Sequence, residues 1–194
     1  MTANPARLKT FLAQMSKLVE EAGDDETVLL NRGKEHLEAL VAHDDWLPEP
    51  YAAANPDRYQ QHLLYCDPQE RFCVVSFVWG PGQETPIHNH TTWGLVGMLR
   101  GSEISEAYSM QDGKPVAGET ERLDPGEVVM VSPDIGDIHK VWNARENEAS
   151  ISIHVYGGDI GAISRNVFPV EGGMKSFISG YSNNALPNVW GIQA

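Results

Sequence analysis

Hydrophobic positions follow two different rhythms along this chain. Over residues 6–22, Leu8, Phe11, Leu12, Met15, Leu18 and Val19 recur at helical spacing with Lys and Glu between them, predicting an amphipathic helix that ends near Gly23. Asp24 or Asp25 then stands where a side-chain oxygen can cap a second helix, with Glu26 in its first turn. Leu29, Leu30, Gly33, Leu37, Leu40 and Val41 give that helix its apolar face. Pro48 and Pro50 are expected to stop it, and a short helical piece around Tyr51 to Tyr59 to follow. His36 and His43 fall in this helical region and read as surface or packing residues.

From about Leu63 the period drops to two. Short apolar runs are separated by turn signals, among them Asp67-Pro68, Gly80-Pro81-Gly82, Asp112-Gly113, Asp124-Pro125-Gly126 and Gly157-Gly158. Alternation is clearest in Glu127 to Val131 and in Ala149 to Tyr156. Many short strands at this spacing imply a β-sandwich or barrel of jelly-roll type. No internal repeat interrupts them. The expected organisation is one domain over residues 1–194, a helical annex at 1–60 followed by a β-barrel and C-terminal extension at 61–194.

Composition excludes some partners. The 194 residues carry 27 acidic side chains against 14 Lys and Arg, a net charge of -13, so no basic stripe is available to neutralise a nucleic-acid backbone. Two cysteines give neither a disulfide framework nor a Cys-x-x-Cys zinc pattern. Cys73, inside Phe72-Cys73-Val74-Val75, reads as a buried, inert thiol. No run reaches transmembrane length and no basic-then-apolar leader opens the chain, so the expected setting is cytoplasmic, without a membrane partner. Oligomeric state is left open.

The candidate chemistry begins at Gly82-Gln83-Glu84-Thr85-Pro86-Ile87-His88-Asn89-His90-Thr91-Thr92-Trp93-Gly94. In an extended strand, residues two apart share a face, so His88 and His90 form half of a metal site. His139 is the next histidine, just after the turn Pro133-Asp134-Ile135-Gly136, on a strand that a barrel can lay opposite the first pair. Three neutral imidazoles would leave a divalent metal its full charge and open positions, unlike the closed four-ligand shell of structural zinc. Imidazole alone does not choose among Zn, Fe, Ni and Cu. The bland alternative is that the three histidines merely fill a barrel.

A second group lies on Ser150-Ile151-Ser152-Ile153-His154-Val155-Tyr156. Strict alternation puts Ile151, Ile153 and Val155 on one side and Ser152, His154 and Tyr156 on the other. Polar groups turned into a barrel must hydrogen-bond one another or a ligand. They can form a Ser–His–Tyr relay; an outward polar face, or His154 as a fourth metal ligand, stands beside that reading.

These segments carry a family resemblance. Gly82-x5-His88-x-His90-x3-Gly94-x6-Gly101 resembles the first cupin motif, with Gly94 where that motif usually has a metal-binding Glu. Pro133-x2-Gly136-x2-His139-x3-Asn143 resembles the second, with one extra residue on the proline side. The resemblance implies a mainly β fold, a cupin (jelly-roll, double-stranded β-helix) barrel with an N-terminal α-helical annex. A three-histidine cupin without the Glu, followed by Ser-x-His-x-Tyr, is similar to the thiol dioxygenases: cysteine dioxygenase and its bacterial relative, 3-mercaptopropionate dioxygenase. That resemblance implies Fe(II) held by His88, His90 and His139, a relay of Ser152, His154 and Tyr156, and addition of both atoms of O2 to a small thiol.

Two departures bear on the thiol. Mammalian-type cysteine dioxygenases carry a Cys, crosslinked to the relay Tyr, at the position that Gly94 occupies here, so no crosslink to Tyr156 is expected. They also hold the substrate carboxylate with an Arg that Gln61 replaces. Arg165, matching a position used by the 3-mercaptopropionate enzymes, is the candidate carboxylate partner, with a surface salt bridge as its bland reading. Glycine and glutamine at these positions favour 3-mercaptopropionate over L-cysteine. Trp93 and Trp142 either wall the pocket or belong to the core. Alternatives to this reading are cysteine dioxygenase proper, another class of metal-dependent cupin enzyme, and a non-enzymatic small-molecule binder.

Overall fold

The computed structural model describes residues 4–183. Two helices, α1 (Ala6–Ala22) and α2 (Glu26–Val41), pack against each other at the start of the chain. Gly23, at φ 56°, ends α1 with its N–H on the Val19 carbonyl. Of the two candidate caps it is Asp25 that acts, its carboxylate accepting the Val28 N–H at 3.1 Å. α2 stops at Val41, well before the prolines. Trp46 folds back under the last turn, almost wholly buried, and its indole N–H donates to the Leu40 carbonyl at 3.3 Å. Asp45 and Asp44 are held there by Arg7 and Arg100. The expected helical piece after it shrinks to a 3-10 turn, Glu49–Tyr51.

Among the described residues ten strands follow: β1 (Gln60–Cys66), β2 (Cys73–Trp79), β3 (Gly94–Arg100), β4 (Glu103–Gln111), β5 (Lys114–Leu123), β6 (Val128–Val131), β7 (His139–Asn143), β8 (Ser150–Tyr156), β9 (Arg165–Val167) and β10 (Lys175–Phe177). The first sheet runs β1-β2-β8-β3-β6, a second β5-β4-β7, and β9 pairs with β10. All the strand pairs are antiparallel. Strands next to each other in space are often distant in sequence, as β2, β8 and β3 are, which is the crossover pattern of a jelly-roll barrel. The fold is the double-stranded β-helix of the cupins, mainly β, with the two helices outside it.

β2 and β8 are buried along their whole length because each is covered on both faces. On the outer face of β8, Ile151, Ile153 and Val155 join Phe11, Met15, Leu18 and Leu37 of the helices in one core. Truncating Leu37 to Ala there would cost about 2–5 kcal/mol. The helix seats this close because Gly97 has no side chain: a Cβ built there would lie 2.9 Å from Leu37 Cγ and 3.0 Å from Val41 Cγ1. The inner face of β8 looks into the barrel, where Tyr156 packs with Phe77, Trp79 and Val141. No described helix is long and apolar enough to cross a membrane.

Candidate metal centre

His88 and His90 do not lie on a regular strand. The segment between β2 and β3 meets its neighbours only at isolated bridges, Glu84 to Trp142 and His88 to both His139 and Val167. Those bridges suffice to fix it. His88 and His139 exchange N–H···O=C bonds, and the N–H groups of His90 and Thr91 both donate to the Asp137 carboxylate. Thr91 adopts φ 60° to do so, an uncommon conformation for a β-branched residue.

The three rings form a nearly even triangle, with centroids 4.9, 4.8 and 4.9 Å apart. One nitrogen from each lies within 4.8 Å of the other two, and all three residues are buried. Each Nδ1 has a partner of its own: the Pro86 carbonyl for His88 (3.0 Å), the Asp137 carboxylate for His90 (2.8 Å) and the Ser105 hydroxyl for His139 (3.1 Å). A carbonyl and a carboxylate only accept, so Nδ1 carries the proton in His88 and His90, and Nε2 presents a lone pair. Burial, helped by its histidine neighbour His90, drives His88 down to about 3; burial likewise lowers His90 and sends His139 well below the usual imidazole range. Three neutral, oriented, buried imidazoles with one nitrogen each to spare fit a divalent metal. Among the described residues no carboxylate joins them.

Beside this triangle, β8 places Ser152, His154 and Tyr156 on its inner face. Ser152 Oγ lies 2.8 Å from His154 Nε2, and His154 Nδ1 lies 2.7 Å from the Tyr156 hydroxyl. Both nitrogens of His154 are thus engaged, so it does not join the metal cluster as a fourth ligand. Phe77 stacks on the His154 ring at 4.1 Å, and Trp79 Nε1–H donates to Ser152 Oγ at 3.2 Å. Tyr156 stacks on His90 at 5.2 Å, joining the two groups. Burial raises the Tyr156 phenol, with Arg165 opposing, so the hydroxyl keeps its proton at neutral pH.

Arg165 opens β9 and is 4 % exposed, not a surface residue. Its guanidinium lies over Phe177 at 4.7 Å, Nη2 donates to Ser179 Oγ at 2.6 Å, and Nε has no partner. Gln61 is also buried beside the cavity, but its amide donates to Ser179 Oγ and the Gly180 carbonyl, each at 3.0 Å. It therefore holds the segment that braces Arg165. A Cβ at Gly94 would stand 2.8 Å from Tyr156 Cδ1, so position 94 abuts the relay ring, and glycine offers no atom to link to it.

These groups share one cavity of about 270 Å³, lined by the three histidines, His154, Tyr156 and Arg165 and walled by Tyr59, Phe77, Trp79 and Phe177. Among the described residues no Asp or Glu lines it. Trp93 and Trp142 do not line it either: Trp93 belongs to the core beneath the helices, and Trp142 lies under the Lys140 ammonium. Sequence reasoning missed Asp137, Ser105, Ser179 and the aromatic wall. The alternation of Phe77 and Trp79 with Val78 was a signal for part of that wall, and Asp137 sits two places before His139; nothing local marks Ser105 or Ser179.

A double-stranded β-helix enclosing three neutral histidines defines a metal-binding cupin. The chain belongs to the cysteine dioxygenase type I family, whose model matches residues 9–165. It is similar to cysteine dioxygenase type 1 of Danio rerio, 25% identical over 117 residues that cover 58% of this chain and 56% of that protein. Against the Rattus norvegicus protein of the same name the identity is 25% over 150 residues, covering 75% of this chain and 73% of that one. The chain thus spans little more than half the length of the first of these relatives. Among solved structures, a double-stranded beta-helix protein from Klebsiella pneumoniae matches with a TM-score of 0.46 and 17% identity, covering 66% of this chain and 91% of that one.

Proposed function

We propose that this protein is an Fe(II)-dependent thiol dioxygenase acting on a small carboxylated thiol, 3-mercaptopropionate in preference to L-cysteine. The reaction adds O2 to RSH to give the sulfinate RSO2⁻ and a proton. One observation carries the reading: within a single cavity, three neutral imidazoles face a tyrosine held by a histidine and a buried arginine with a donor to spare. Family membership supports the chemistry, and the family resemblance supplies Fe(II) as the metal.

His88, His90 and His139 would hold the iron, which when bound supplies a Lewis acid for the thiolate and access to the chemistry of O2. Arg165 would take the carboxylate: its guanidinium lines the cavity and keeps its charge despite burial. Ser179 and Gln61 fix the guanidinium so that little is lost on ordering it. Tyr156 would donate a hydrogen bond to the reacting end of the substrate, its hydroxyl aimed by His154 rather than free to rotate. The aromatic wall keeps the site dry, which strengthens each of these contacts.

The preference for 3-mercaptopropionate rests on charge. L-cysteine brings an ammonium group, and among the described residues no carboxylate lines the cavity to receive it, while Arg165 would repel it. Gln61 adds no charge. The small volume suits a substrate of a few heavy atoms. Oxygen consumption by the Fe(II)-loaded protein with 3-mercaptopropionate, L-cysteine and cysteamine tests the reading. The expected order of kcat/KM puts 3-mercaptopropionate first; uptake with none of the three, at full iron loading, overturns it.

A further inference from the structure

Behind the relay lies a carboxyl group that takes no part in the histidine triangle or the Arg165 pocket. Glu103 opens β4 and is only 2 % exposed. In register it faces Leu123 of β5 and Asn143 of β7. Its carboxyl lies at the Ser152 end of the relay: burial pushes it up to about 8, and hydrogen bonding to Ser152 and Trp79 only partly draws it back. Oε1 has no partner. The Asn143 amide is already committed to the carbonyls of Trp79 and Glu148, at 3.0 and 2.9 Å. Among the described residues no cation offsets the charge that ionisation would create. A buried carboxylate with one bare oxygen is costly, and a neutral carboxyl is not.

We propose that Glu103 terminates the Ser152–His154–Tyr156 chain and that its proton sets the direction in which the whole chain points its hydrogens. This rests on the relay reading of β8 but not on thiol oxidation. Ser152 has one hydrogen and two acceptor sites, and the Trp79 N–H, which it shares with the Glu103 carboxyl, occupies one of those sites. With Glu103 protonated, Glu103 donates to Ser152 Oγ, Ser152 donates to His154 Nε2, and His154 Nδ1–H donates to the Tyr156 oxygen. The tyrosine hydrogen is then free to point into the cavity. With Glu103 ionised, Ser152 donates to the carboxylate and accepts from His154 Nε2–H. His154 Nδ1 then accepts the tyrosine hydrogen and withdraws it from the cavity.

One proton passes from Glu103 to solvent between the two states. His154 stays neutral in both and changes only its tautomer. Around Glu103, β5 contributes Leu123, β7 Asn143, β2 Trp79 and β8 Ser152, with His154 and Tyr156 further along the chain. Of these only His154 and Tyr156 titrate; burial holds the first neutral and raises the second. Glu103 is thus a positioning residue: it acts on the cavity through Ser152 and His154.

The test is nitrogen NMR of the metal-free protein labelled at histidine, titrated from about pH 6 to about pH 10 across the range where such a carboxyl ionises. The expected result is His154 as the Nδ1–H tautomer at neutral pH, passing to Nε2–H around the ionisation of Glu103. Glu103→Gln, whose amide still donates but does not ionise, should hold Nδ1–H throughout; Ser152→Ala, which cuts the link, should abolish the change. A single tautomer across the range in the wild-type protein overturns the proposal, whether or not the variants fold. So does a change that persists in E103Q or S152A. Neither iron nor thiol is present, so failure of the dioxygenase reading would leave this outcome unaltered.

Discussion

His88 and His139 exchange both of their backbone hydrogen bonds, N–H to C=O at 3.0 Å in each direction. Two candidate ligands from distant parts of the chain are thereby fixed as a single rung of β-ladder. The third, His90, is tied to the same strand end by Asp137. The metal centre is consequently set by backbone pairing, before any metal arrives.

That arrangement makes Asp137 the most exposed weakness of the centre. It accepts the His90 ring proton and two backbone N–H groups, so Asp137→Ala removes the orientation of the ring and of its loop together. Iron affinity should fall by about 10–100-fold, the usual effect of losing a partner behind a ligand. Competition with a chelator, read as iron retained per protein, measures it.

Arg165→Ala should raise the KM for 3-mercaptopropionate by about 10–100-fold, since a charge-assisted hydrogen bond is worth roughly 1.5–3 kcal/mol. Cysteamine, which has no carboxylate, provides the control: its KM should not rise. Steady-state oxygen uptake with both thiols separates loss of a carboxylate partner from general damage to the pocket.

Tyr156→Phe keeps the ring that stacks on His90 and removes only the hydroxyl. Iron content should be unchanged while kcat falls by about 10-fold or more, the value of one hydrogen bond made to developing charge. A matched fall in iron content would instead assign Tyr156 to holding the metal site together.

How much of this was legible in the sequence differs by element. Both helices and the alternation of β8 were readable because local periodicity dictates them. The stop of α2 was not: Trp46 capping the Leu40 carbonyl is a contact made through folding back, whereas the prolines named as the stop lie beyond it. The histidines could be picked out by their spacing from turn residues. Their irregular backbone could not, because single bridges to β7 and β9 replace a ladder there. Arg165 was legible only through family likeness, and Ser179, which braces it, comes from a segment with no local signal.

The buried titratable groups give the metal-free protein a pH optimum of stability. His88, His90, His139 and His154 all have lowered folded values, so below about pH 6.5 the unfolded chain takes up protons that the folded one refuses. Their contribution is present above that pH and lost as it falls. Glu103 runs the other way: raised to about 8 when folded, its contribution is present at low pH and lost as pH rises through that value. Four imidazoles outweigh one carboxyl on the acid side. Urea midpoints should therefore fall from about pH 6.5 towards pH 5, and fall again from about pH 6.5 towards pH 8 before levelling off, each proton weighing about 1.4 kcal/mol per pH unit. Glu103→Gln should flatten the decline above about pH 6.5 and steepen the acid decline by about one proton.

The most direct test of the central claim is the fate of ¹⁸O2 in a reaction of the Fe(II)-loaded protein with 3-mercaptopropionate, read by mass spectrometry of the product. The expected product is the sulfinate, with both of its oxygens labelled and one O2 consumed for each thiol. A disulfide product, a sulfinate carrying oxygen from water, or no consumption of O2 at full iron occupancy would contradict it.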